Sequence, residues 1–465
     1  MANDHLSLMA HLMRRAGFGA TRDELERRLA AGYEATVEDL LHPEEYEPLD
    51  FYDFLRYLPI QWKPDTLNGM GQSGWVWRMI NTKAPLQEKM SLFWHQIFAT
   101  GVSKVDHYDE VMDMVDIFRE KGLGQYRELL LDVAHNPAML YWLDNHENHA
   151  SAVNENWGRE LLELFTMGVG NYTEEDIYEC SRAFTGWTIS PKLPRYHMGR
   201  WDWHFEFRPD DHDEGEKTFL GHRGNFDGED IIDIVLAQPA TARFIARHLY
   251  GFFVADEVQV PAWQVTPPRD PEAIEVIANA LSESDFDMRH TLRVLFNSDF
   301  FKEARFTKVK NPTEVVVSAL RMVGGAELPS LHVYDYCNQI TYMGQELLNP
   351  PSVEGWHYGV EWINSSSLMK RANFVADIVS ETDRPGVRDI IERVRASGAS
   401  PESAVDACID LLGPIALNDE TRTELIEHAR ILGEFAWDEE NEAKSAQRVA
   451  ELLQLIVATR EYQFA

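Results

Sequence analysis

The sequence predicts a mainly α protein, a large multi-helix globular bundle with a small β-hairpin insertion near residues 188–222. Apolar residues recur at the three- and four-residue spacing of amphipathic helices through most of the chain. Several of these stretches open with the oxygen-bearing caps or first-position prolines that start helices. One stretch alone changes to the two-residue period of a strand. No low-complexity tract or long repeat divides the chain, so a single helical domain over 1–465 is expected to carry the insertion.

Leu6, Met9, Ala10 and Met13 mark a first helix that stops at Gly17 and Gly19, and Thr21 with Glu24 forms a capping-box pattern for the next. Pro85 occupies a first helical position, and Leu86, Met90, Phe93, Trp94 and Ile97 draw a stripe that runs to Gly101. Helices follow over 111–120, 123–135, 155–167 and 174–185, the last opened by Thr173 ahead of Glu174, Glu175 and Asp176. Then the period changes. Trp201, Trp203, Phe205 and Phe207 alternate with Asp202, His204 and Glu206, and a turn-rich stretch from Pro209 to Gly215 leads into Lys217, Thr218, Phe219 and Leu220. These two runs are expected to pair as a hairpin with a polar tip. An isolated hairpin is marginally stable, which requires it to pack on the helical body. Helical spacing returns over 229–237, 240–253, 271–282, 288–297 and 312–323, with Asp270-Pro271 and Asn311-Pro312 as starts. The carboxyl-terminal third adds 333–347, 367–380, 385–396, 401–412, 420–435 and 443–459.

Forty-four per cent apolar residues and 52 aromatics (13 Trp, 16 Tyr and 23 Phe) are enough for a large core and argue against disorder. The 43 Lys and Arg against 77 Asp and Glu give a formal net charge of −34, so the average surface repels phosphate backbones and anionic lipid, and no nucleic-acid partner is expected. Such acidity reads as solubility or salt adaptation, or, more sharply, as a docking face for cationic partners. Only Cys180, Cys337 and Cys408 occur, which provides neither a disulfide framework nor a CxxC metal knuckle. Asp4 and His5 stand where a signal peptide needs cations, and polar residues follow Arg14-Arg15 where a twin-arginine signal would turn apolar. A soluble protein is therefore expected, cytoplasmic by the lack of a signal peptide and without the roughly 18–20 apolar residues of a membrane span.

Four groups of residues are suited to chemistry. On the 155–167 helix, Asn156, Arg159, Glu160 and Glu163 gather opposite Trp157, Leu161, Leu164 and Phe165. Two carboxylates one turn apart beside an Arg can ligate a metal or position a proton donor, whereas the plainer reading is a solvated face of local ion pairs. His95 shares its helical face with Glu88, Ser91 and Ala99, facing a ligand or making a structural hydrogen bond. The tip from His212 and Asp213 to Lys217 concentrates ionisable groups on a turn, which is also what an ordinary solvated turn does. The Leu347–Trp362 stretch joins prolines to aromatics and amides. Its indoles suit stacking on sugar rings or closing a pocket, and equally suit a buried plug. GxSxG, Walker and HExxH patterns and a strand-linked GxGxxG are absent.

These segments in this order resemble the domain-of-unknown-function family 1800 (DUF 1800), widespread in bacteria. The resemblance rests on His11-Leu12-Met13-Arg14-Arg15-Ala16-Gly17-Phe18-Gly19, on Phe93-Trp94-His95 with Phe98-Ala99-Thr100, and on Asn154 to Gly168. It continues through Phe184-Thr185-Gly186-Trp187, His212-Asp213 with Lys217 to Gly221, Asn349-Pro350-Pro351 with Gly355-Trp356, and Trp362-Ile363-Asn364-Ser365. Members are often encoded beside a second family, DUF 1501, that looks like a sulfatase or alkaline phosphatase relative, so the resemblance implies a DUF 1501-type partner protein. Many members carry export signals, which keeps the periplasm open as a location.

The resemblance places His95, Arg159, Glu160, Glu163, His212 and Asp213 among recurring positions, so they are expected to converge on one pocket as its catalytic groups. In the enzyme reading, His95, Glu160 and Glu163 hold a divalent metal or act as general acid and base in hydrolysis, and Arg159 holds an anionic group. Trp187, Lys217, Asn349, Trp356, Trp362 and Asn364 are the expected substrate-binding residues. In the competing reading the same aromatic loop and hairpin grip a polysaccharide, a small molecule or the partner chain, without catalysis.

Overall fold

Where the sequence offers a cap, the backbone uses it. Thr173 Oγ1 accepts the Asp176 N–H at 3.2 Å while the Asp176 carboxylate accepts the Thr173 N–H at 2.9 Å, and Asn311 and Glu314 make the same exchange. Reciprocal bonds of this kind satisfy two of the four N–H groups that every helix leaves open, worth about 1 kcal/mol per cap. Thr21 makes only half of the exchange, accepting the Glu24 N–H at 3.4 Å. The computed structural model describes residues 2–50, 64–190, 203–330 and 332–465.

The amino-terminal part consists of α1 (Ala2–Arg15), α2 (Arg22–Ala31), α3 (Tyr33–Leu41), α4 (Pro64–Asn81) and α5 (Pro85–Ile97). It continues through α6 (Val102–Val105), α7 (Tyr108–Lys121), α8 (Tyr126–His135) and α9 (Pro137–Trp142). The expected 155–167 helix is α10 (Asn156–Glu160), followed by a π-helical turn over Leu161–Thr166, and α11 is Glu174–Ala183. After the insertion come α12 (Gly228–Leu236), α13 (Pro239–Phe253), α14 (Pro271–Glu283), α15 (Met288–Asn297) and α16 (Asp299–Glu303). The remainder is α17 (Pro312–Val323), α18 (His332–Tyr342), α19 (Ser365–Ser380), α20 (Pro385–Ser397), α21 (Pro401–Leu411), α22 (Asp419–Arg430) and α23 (Glu442–Val457). The protein is thus mainly α with a small β insertion. One hydrophobic cluster extends from Leu6 on α1 to Tyr462 beyond α23.

The insertion pairs differently from the expected hairpin. Strand β1 (Trp187–Ser190) runs antiparallel to β2 (His204–Phe207), with Trp187 opposite Phe207, and β3 (Lys217–Phe219) pairs with β4 (His222–Gly224). The 203–207 run therefore pairs backward, not forward onto 217–220. Leu220 and Gly221 both have positive φ, +48° and +83°, between the paired residues Phe219 and His222. That is the two-residue turn that closes a tight hairpin, so β3 takes its nearest neighbour as partner. Trp187 and Ile189 supply the inward face of β1. Trp201 and Asp202, part of the predicted alternation, lie outside the described residues. Among the described residues no helix is long and apolar enough to cross a membrane.

Candidate functional site

Helix α10 is held close to α11 because Gly158 lacks a side chain: a Cβ there would stand 2.2 Å from Ser181 Oγ and 3.1 Å from the Ile177 carbonyl. Immediately after Glu160 the helix widens. Thr166 Oγ1 donates to the Leu161 carbonyl at 2.5 Å, five residues back, and the backbone from Leu161 to Thr166 is π-helical. Such turns interrupt the α ladder and recur at functional positions. The turn presents Glu160 and Glu163 together, half-buried, with Trp157, Leu161, Leu164 and Phe165 packed into the core on the other side.

The two carboxylates occupy unlike surroundings. Burial, then the charge of Glu163, pushes the Glu160 carboxyl up to about 7, and Glu354 from the 349–356 loop adds to the rise while Arg159 opposes it. Glu160 makes no hydrogen bond or ion pair among the described residues. Glu163 accepts a hydrogen bond from the Tyr172 hydroxyl at 3.3 Å. Burial and the Glu163 charge together raise that phenol well above its ordinary value. Arg159 is the expected neighbour, but its guanidinium points outward and bonds Glu174 at 2.8 Å and Glu155 at 3.4 Å. A carboxyl held near 7 beside a second carboxylate is an arrangement in which one can give a proton and the other can take one.

His95 belongs to the support of this patch rather than to its surface. It is buried on α5 against Trp75 and Trp356, its Nε2 accepts the Leu348 N–H at 3.0 Å, and burial lowers it to about 3, which keeps the ring neutral. Two further bonds fix the same loop. Gln96 Nε2 donates to the Trp356 carbonyl at 3.1 Å, and Asn349 Oδ1 accepts the Ser103 N–H at 3.3 Å. Gly355 has φ +78° and would put a Cβ 2.4 Å from the Gln96 carbonyl, so only glycine fits there. His95 thereby anchors one end of the loop whose Glu354 acts on Glu160.

Other expected contributors are spent on structure. His212 Nδ1 donates to the Thr185 carbonyl at 2.8 Å, and Arg182 grips Asp213 with two bonds of 2.7 and 3.0 Å. Lys217 is fully buried, and its ammonium donates to the Asp213 and Gly215 carbonyls at 2.6 and 3.2 Å and to Asn225 at 3.3 Å. It closes the turn from inside and offers nothing to a ligand. The bonds of His212 and Asp213 end within the insertion and the end of α11, and none reaches the Glu160 patch. Trp187, Trp356 and Trp362 are 5, 4 and 7 per cent exposed, so none presents a ring face for stacking on a sugar. Asn364 is exposed but caps α19, accepting the Ser366 and Ser367 N–H groups at 3.0 and 2.9 Å. Among the described residues no group of three or more His, Cys, Asp or Glu is placed to hold a metal ion. The metal expected on His95, Glu160 and Glu163 thus lacks a ligand set, because the one imidazole is sealed behind the loop.

The family model for a protein of unknown function (DUF1800) matches residues 11–464. The chain belongs to this family. No curated protein and no solved structure matches it. The family match runs from the last third of α1 to beyond the end of α23 and includes the π-helical turn, the insertion and the 349–356 loop. Neither Glu354 nor Tyr172 carries a motif that marks it as a site residue in the sequence. Their one sequence signal was position, Glu354 within the aromatic loop and Tyr172 just ahead of the Thr173 cap.

Proposed function

We propose that this DUF1800 protein is an acid/base hydrolase in which Glu160 donates the proton and Glu163 works as its ionised partner, without a protein-bound metal. One observation supports this reading: Glu160 sits half-buried and unpaired beside a second carboxylate and is held near 7, where a carboxyl is half protonated at neutral pH. A solvated ion-pair face would lower the carboxyl instead, as Arg305 does for Asp4. The reaction fits any bond whose leaving group needs a proton. The test is hydrolysis of a panel of nitrophenyl glycosides, carboxylic esters and phosphate esters by wild type and Glu160→Gln. Loss of a positioned general acid lowers kcat by roughly 100-fold or more and removes the limb of the pH–rate profile near 7. Full activity in a folded Glu160→Gln variant sinks the proposal.

A second reading is supported by the way His95, Asp213, Lys217 and Asn364 are all consumed by internal bonds. In it the protein is a non-catalytic assembly partner of a DUF 1501-type sulfatase-like chain. That reading predicts no turnover of any compound in the panel and co-purification of the two chains when they are expressed together.

A further inference from the structure

A cluster of buried cations lies far from Glu160 in sequence, around Glu314. A cavity of about 50 Å³ is bounded by α1, the turn after it, α17 and the end of the chain, and Arg14, Lys310, Glu314 and Tyr462 line it. Arg15 and Lys89 reach the same carboxylate of Glu314 from the far side, both with no exposure. Arg371, also without exposure, stands on α19 within electrostatic reach of Lys310 and Glu314. Lys89, Arg15, Lys308, Lys310 and Arg371 thus all act on the one carboxylate of Glu314, and Arg14 lines the same cavity. Lys308 has Asp256 at 3.1 Å, but among the described residues no carboxylate other than that of Glu314 comes within ion-pair distance of Arg14, Arg15, Lys89, Lys310 or Arg371.

Hydrogen bonding shows where capacity is left over. Arg15 is used up on the Phe252 and Phe253 carbonyls and Glu314, and Lys310 donates one bond to the Tyr462 carbonyl at 2.7 Å while lying over its ring. Arg14 donates to the Gly413 carbonyl, but its Nε and Nη2 are buried with no partner. All three guanidinium nitrogens of Arg371 are likewise buried and unpartnered. Water in the cavity would satisfy the donors but not the charge, and an uncompensated buried ion is unfavourable by several kcal/mol. An anion with several acceptor oxygens would satisfy both the donors and the charge. At roughly 10–15 Å³ of such space per water, the cavity holds the equivalent of three to five waters, the size of one tetrahedral oxyanion. Guanidinium forks match that geometry.

We propose that the cavity between α1 and α17 binds a small tetrahedral oxyanion, phosphate or sulfate, through Arg14 and Lys310 with Arg371 supplying charge from behind. This is independent of the hydrolase reading, since it uses none of the same residues. Full-length protein freed of both anions is titrated with inorganic phosphate and with sulfate by calorimetry and thermal unfolding, ionic strength being held with chloride. Phosphate or sulfate raises Tm by a few degrees beyond chloride, and the tighter of the two identifies the physiological anion. Arg14→Gln weakens binding by roughly tenfold or more. Arg371→Met, which removes an unmatched buried charge, unfolds no earlier than wild type in anion-free buffer and has lost most of the response to phosphate. Equal Tm values for wild type in all three anions overturn the proposal, as does wild-type affinity in folded Arg14→Gln and Arg371→Met.

Discussion

At the scale of single residues, the unusual group is Glu160. A carboxyl lifted from its ordinary 4.5 to about 7 binds its proton more tightly in the folded protein than in the unfolded chain. The folded state therefore holds more protons between those values. Stability associated with this group is complete below about 4.5 and is lost as pH rises through about 7. Glu160→Gln, which imitates the protonated form, escapes the loss. Urea unfolding of both proteins from pH 4.5 to 8.5 should show the variant gaining on wild type with rising pH, by roughly 1–2 kcal/mol at the upper end after allowing for partial exposure. A constant difference across that range would mean that Glu160 titrates normally. The pairing of Glu160 with Glu163 was legible from their spacing, because helical geometry sets it. The roles of His95 and Lys217 were not. Whether an imidazole faces a ligand or the Leu348 N–H, and whether an ammonium meets solvent or the Asp213 carbonyl, depends on segments roughly 250 residues away in one case and on turn closure in the other.

At the scale of elements, caps and periodicity placed the helices, while two features escaped them. The π-helical turn at Leu161–Thr166 preserves the same apolar pattern as an α-helix, so a one-residue widening leaves no mark on spacing. Strand pairing in the insertion also depends on the choice of neighbour, and Leu220-Gly221 decided it locally by closing β3 onto β4. The 349–356 loop is the element that ties these pieces to the candidate site. Gly355 lets it approach the Gln96 carbonyl, and His95 and Gln96 then hold Leu348 and Trp356 in place. Gly355→Ala combines a left-handed φ with a clash against backbone. The expected loss is about 2 kcal/mol or more. Hydrogen exchange provides the discriminating readout, with faster exchange confined to the Leu348 N–H and its neighbours while α10 keeps its protection. Uniformly faster exchange throughout the protein would show that the loop is part of the global core rather than a separately anchored lobe of the site.

At the scale of the whole molecule, charge is sorted by depth. The sequence carries a net −34, yet the interior around Glu314 is cationic. Composition revealed the first and concealed the second, since Arg14-Arg15 reads in sequence only as an arginine pair without the apolar run of an export signal, and Asn311-Pro312 as a helix start. The two populations respond differently to salt. Repulsion among surface carboxylates is screened over about 10 Å at 0.1 M salt, whereas the buried Glu314 pairs are screened far less. Raising sodium chloride from about 0.02 to about 0.5 M should therefore raise the wild-type Tm. Glu314→Gln strands Lys89 and Arg15 without their carboxylate, at a cost of roughly 3–5 kcal/mol. Because the lost interaction is buried, the gap between the two proteins should stay the same at both salt concentrations. The cations around Glu314 hold its carboxyl down to about 2, so its contribution is present above the ordinary 4.5 and fades as pH falls from there toward about 2. The gap should narrow over that acid range. A gap that closed with salt at neutral pH would place Glu314 among the surface charges and remove the reason for expecting an anion beside it.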